Sequence, residues 1–158
     1  MKITTIFLVS VLISAGLYAQ TSPVFVYGFT DASVPPQYHR SYTIRVSSTE
    51  VKFSVTNYVE TFIDETYPTT QQAFNDFQKK LKACKIKIKK TKTDDGGCTG
   101  GTGDAFTLPF TGGKTLEGSS YNCGGTRYGD ISGKLDAAIQ IFQSMVPDFN
   151  LKLAGTRE

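Results

Sequence analysis

Tryptophan is absent from this chain of 158 residues, histidine occurs once and cysteine three times, and each scarcity removes a class of chemistry. One histidine excludes multi-histidine zinc sites, and Cys84, Cys98 and Cys123 are too irregularly spaced for a zinc knuckle. No Asn-x-Ser/Thr acceptor for N-glycosylation occurs, since Asn57, Asn75, Asn122 and Asn150 are each followed two places later by another residue type. The glycines of residues 96–103 are not followed by the Lys-Ser/Thr of a phosphate-binding loop. Asp94, Asp95 and Asp104 share a glycine-rich stretch without the spacing or terminal Glu of an EF-hand, so they read as solvated loop carboxylates. No cofactor or metal motif is therefore present. No apolar run reaches the roughly 20 residues that cross a bilayer. With no tryptophan, the interior must be built from eight tyrosines, eleven phenylalanines and the aliphatic residues.

What the chain does have begins with an address. Lys2 supplies a positive start, residues 6–13 a short apolar stretch broken by Ser10, and Ala15, Gly16 and Ala19 the small residues before a cleavage site. Residues 1–19 read as a signal peptide. Residues 20–158 then form a single exported domain, secreted or periplasmic. Lys2 is the leader's only charge, so its removal leaves a mature net charge of +2. That balance carries no clear nucleic-acid signature.

Residues 20–40 read as an extended leading segment with one short strand at 24–29 and a break at Pro35-Pro36. Tyr42, Ile44 and Val46, then Val51, Phe53 and Val55, alternate with polar residues and predict a hairpin. Thr69-x-x-Gln72 offers a capping box for a helix over 70–83 whose apolar positions are Ala73, Phe74, Phe77, Leu81 and Cys84. The period then shortens to two: Cys84, Ile86 and Ile88 alternate with Lys85, Lys87 and Lys89, a third strand with its lysines in solvent. Residues 106–110 and 114–121 flank Thr111-Gly112-Gly113 as a second hairpin, and Pro109 places its strand at an edge or bulge. A helix over 130–146 ends at Pro147, and 148–158 reads as a frayed tail. The predicted class is α+β: one antiparallel sheet of four to five strands with two amphipathic helices packed on one face.

Chemistry-bearing residues are few. Cys98 and Cys123 bracket the second hairpin between glycines and are the expected disulfide, with Cys84–Cys98 the rival pairing and Cys84 otherwise a buried apolar residue. Lysines near Cys84 could depress its thiol pKa, whereas burial would oppose reactivity. A catalytic His39 would need Cys84, Cys123, Ser119 or Ser120 as its nucleophile. Gly118-Ser119-Ser120-Tyr121 is not a nucleophile elbow, so His39 reads as a surface or strand-edge residue bonded to backbone. Glu60, Asp64 and Glu65 read as ordinary surface charges. The strongest anomaly is eight lysines without an intervening acid: Lys79, Lys80, Lys82, Lys85, Lys87, Lys89, Lys90 and Lys92. Such a cluster either keeps an edge strand soluble or meets an anionic partner. Aromatic residues that could stack bases do not interleave it. These residues favour a non-enzymatic binding or inhibitor module whose partner is an unidentified protein, with an anionic envelope component such as lipid or polysaccharide as the alternative. A small envelope enzyme is the weakest reading.

Overall fold

The structure is a computed structural model that describes residues 22–93, 99–110 and 113–157, with side chains described except at 91–93. The expected signal peptide lies outside these residues. Among the described residues no helix is long and apolar enough to cross a membrane. The strands are β1 (Phe25–Thr30), β2 (Ser41–Val46), β3 (Glu50–Thr56), β4 (Thr61–Pro68), β5 (Lys87–Thr93), β6 (Thr102–Phe110), β7 (Lys114–Cys123) and β8 (Thr126–Ser132). The helices are α1 (Gln71–Ala83), α2 (Leu135–Gln143) and α3 (Phe149–Gly155).

All eight strands form one sheet in the order β4-β3-β2-β1-β6-β7-β8-β5, and every recorded pairing is antiparallel. The chain starts at the centre with β1 and meanders outward to the β4 edge. Helix α1 then carries it to the opposite edge at β5. It returns to the centre as β6 and meanders outward again through β7 and β8. The expected sheet of four to five strands with two helices is thus corrected to eight strands with three short helices.

Each missed element has a local cause. In β4 the alternation is weak because its inner face carries Glu65 between Ile63 and Tyr67, beside Phe53 and Val55 of β3. Lys152 of α3 pairs with that carboxylate at 2.7 Å. Strand β8 contains Gly129, whose φ of +110° and close approach to β7 exclude a side chain: a Cβ there would lie 2.3 Å from the Ser119 carbonyl oxygen. Its Ile131 stands four residues before Leu135 and so imitates a helical face. Helix α2 consequently begins at Leu135 rather than at 130. The supposed tail contains α3, whose buried Phe149 packs between the rings of Tyr42 and Phe53 at 5.2 and 5.5 Å.

Helix α1 follows the expected spacing, with Phe74, Phe77 and Leu81 buried. Its N-cap is Thr70 rather than Thr69, and the Thr70 hydroxyl accepts the Ala73 N–H at 3.1 Å. At its other end Lys85 adopts φ +51° in the position just past the C-cap, where glycine usually sits. This left-handed residue delays β5 until Lys87. The regular stripe expected over Lys85, Lys87 and Lys89 is therefore broken, and Ile88 is 45% exposed rather than buried.

The three helices cover one sheet face. Phe25, Tyr27, Ile44, Phe53, Phe106 and Leu108 from the sheet join Phe77, Leu81 and Phe142 from the helices in one core. The Lys152–Glu65 pair fastens α3 to the β4 edge. Lys152 lowers the Glu65 pKa below its ordinary 4.5, with Tyr67 assisting, while Glu65 in turn raises that of Lys152 above 10.5. A depressed carboxylate stabilises above its unfolded pKa, and a raised ammonium stabilises below its own. Thermal midpoints of the native protein and Glu65→Gln should therefore differ most between pH 4.5 and 10.5 and converge as the pH falls well below 4.5.

Candidate functional site

The lysines of the anomalous run separate into two groups. Lys79, Lys80 and Lys82 are exposed on α1, Lys85 is exposed just after it, and Lys87, Lys89 and Lys90 lie on edge strand β5. Lys92 also lies in β5, but its side chain is outside the described residues. Of these, Lys79, Lys82 and Lys85 line a single cleft of about 570 Å³. Helical spacing explains its first wall: Asn75, Gln78, Lys79 and Lys82 stand at i, i+3, i+4 and i+7, one face of α1. The opposite wall is Pro109 and Phe110, and the interior is closed by Phe25 and Ile86.

The cleft exists because β6 outruns β1. Pairing between them begins at Val26 opposite Thr107, whereas β6 continues to Phe110. Pro109 therefore has no β1 partner on that side, which fits a residue without an amide hydrogen. Phe25 links the floor to the core through edge-to-face contacts with Phe77 at 5.5 Å and Phe110 at 6.3 Å. Among the described residues no acidic side chain lines the cleft. Neither ion pair found among the described residues involves its lysines.

Lys85 adds a conformational argument. A side chain in the left-handed region costs about 1 kcal/mol relative to glycine. Here the cost is borne by a residue whose side chain reaches the cleft rim.

The other expected sites assemble differently. His39 is buried, and its Nδ1 lies 3.1 Å from the Ala32 carbonyl oxygen. A carbonyl only accepts, so Nδ1 carries a proton, and Nε2 lies 2.8 Å from the Ser41 hydroxyl oxygen. Ser41 had no place in the sequence reading, although His39-x-Ser41 has the spacing that puts two strand residues on one side. The Ser41 oxygen also accepts the Asp31 N–H at 3.0 Å, and Tyr58 stacks on the imidazole at 4.0 Å. The group clamps residues 31–41. Ser119, Ser120, Cys84 and Cys123 do not appear among the hydrogen-bond partners of His39.

Ser120 instead belongs to a buried network that sequence reasoning missed. Asp104, read as a solvated loop carboxylate, is 4% exposed in β6. It accepts from Tyr27 Oη at 2.8 Å, Asn122 Nδ2 at 2.9 Å and Ser120 Oγ at 3.4 Å. Asn122 Oδ1 accepts from Arg127 Nε at 2.8 Å, and Arg127 pairs with Asp136 in the first turn of α2 at 2.6 Å. Burial raises the Tyr27 pKa, with Tyr42 and Asp104 adding to it, so its hydroxyl stays a donor. Every described buried polar side-chain atom has a partner. This network fixes the sheet to α2.

Cys84 is free and buried, and burial raises its thiol pKa against the opposing pull of Lys134. Its Sγ donates to the Lys80 carbonyl at 3.6 Å. Cys123 ends β7 with Sγ 3.5 Å from the Thr99 carbonyl oxygen. The bridge expected between Cys98 and Cys123 falls on Cys98, outside the described residues, as do Asp94 and Asp95. Among the described residues no cluster of three or more potential metal ligands occurs. Comparison with protein-family models, curated proteins and solved structures found no match.

Proposed function

We propose that this chain is an exported, non-enzymatic binding module whose cationic cleft takes an anionic ligand. The observation that carries this reading is that Lys79, Lys82 and Lys85 line one cleft to which no described acidic side chain belongs. Charges of one sign around a low-dielectric wall concentrate counter-charged ligands more effectively than the same charges spread over a surface. An edge protected from aggregation would need lysines on β5, not a second set aimed across α1 at the end of β6. The left-handed Lys85 belongs to the same reading, because backbone strain persists where function retains it. A Cys98–Cys123 bridge would hold the end of β7 against the preceding loop. Its support is the approach of Thr99, the residue after Cys98, to Cys123.

The test is binding of the purified protein to heparin and to vesicles of phosphatidylglycerol in phosphatidylcholine over a salt series. Lys79→Gln, Lys82→Gln and Lys85→Asn are combined in one variant, since asparagine tolerates the left-handed region. The native protein should bind more weakly as salt rises. The triple variant should bind at least about tenfold more weakly, with a shallower salt dependence and an unchanged fold. Equal binding by both proteins would contradict the reading.

A further inference from the structure

We infer that the ligand of the cleft is a fatty-acid anion, a single unbranched alkyl chain ending in a carboxylate; this rests on the anion-binding reading above. The cleft has two unlike parts. Its interior is Phe25, Ile86, Pro109 and Phe110, which offer only carbon surface from their side chains. Its cationic groups stand on the α1 side and at the chain reversal that follows. A polyanion bound along its length needs a row of charges on an open surface, and an apolar interior contributes nothing to it. A ligand with one charged end and one apolar body uses both parts. The volume of about 570 Å³ lies within the range of small-molecule sites, roughly 300–1,000 Å³.

Lysine suits such a head group. Three compact ammonium groups on flexible stems can gather around one carboxylate without a fixed bidentate geometry, and their methylenes extend the apolar wall. Two other cavities among the described residues lack this division. The one beside Arg40 and Arg157 also contains Glu60, and the one beside Arg45 and Lys52 also contains Glu50.

Isothermal titration with octanoate, decanoate and laurate, each below its micelle concentration, tests the inference. Affinity should rise about fourfold for each added methylene until the interior is full. Decanol, with the chain but without the charge, should bind more weakly than decanoate. Lys79→Gln combined with Lys82→Gln should weaken laurate about tenfold. Gln78→Trp, which places an indole in the cleft and leaves the lysines, should weaken laurate binding at least about tenfold. Thermal unfolding confirms that each variant is folded. Binding without chain-length dependence, or unchanged laurate affinity in Gln78→Trp, would overturn the inference. Vesicle or heparin binding without laurate binding would overturn it and leave the anion-binding reading standing; loss of all three would remove both.

Discussion

Asp104→Ala should lower the free energy of unfolding by about 3–5 kcal/mol, the summed cost of leaving three side-chain donors without their shared acceptor. The side chain serves Tyr27, Asn122 and Ser120 at once, so its loss strands the buried Tyr27 and Ser120 hydroxyls and the half-buried Asn122 amide. Tyr27 is the most affected, because its hydroxyl is buried with the ring at 1% exposure. Asp104→Asn should cost less, about 2 kcal/mol, because the amide keeps the shape and one acceptor oxygen. Urea unfolding followed by circular dichroism measures both. A cost below about 1 kcal/mol for alanine would show that water or rearranged side chains satisfy these donors.

Phe142→Ala should destabilise by a similar amount, about 3–5 kcal/mol, for a different reason. Phe142 is fully buried at the meeting point of α1, α2 and the sheet. Its ring lies 5.1 Å from that of Phe77, 5.7 Å from Tyr27 and 6.2 Å from Phe106. Removing it opens a cavity bounded by three elements that are each held elsewhere, so collapse can fill little of it. Phe142→Leu should cost about 1–1.5 kcal/mol, since most of the volume remains. If alanine and leucine were equally tolerated, α2 would not be packed as described. The two alanine substitutions also separate polar from apolar fastening of the same helix, because Arg127 and Asp136 hold one end and Phe142 fills the other.

How much of this was legible in the sequence depended on contrast between the two faces of each element. Strands β2 and β3 have fully apolar inner positions and were readable residue by residue. Strand β4 carries Glu65 inside, and β8 carries Gly129, so the period-two signal fell below recognition in both. Ile131 imitated the helix that follows it. Asp104 lay in a run of glycines and threonines that reads as a loop. Only pairing with β1 and β7 places it opposite Phe29 and Ser120 on the covered face. The cleft was half visible: the lysine run was evident, but the partner wall is Pro109 and Phe110, distant in sequence and joined to α1 only by the fold. The lysine stripe expected along one strand failed at Lys85, since a left-handed lysine has no sequence signature that distinguishes it from an extended one.

The most direct test of the lysine-rimmed cleft as a binding site is a backbone amide NMR titration of the isotope-labelled protein with laurate. The account predicts that shift changes concentrate at Lys79, Lys82, Lys85, Ile86 and Phe110 and saturate together. Changes concentrated instead around Arg45 and Lys52 on the open sheet face would contradict it, and no saturable change at any residue would overturn the fatty-acid assignment.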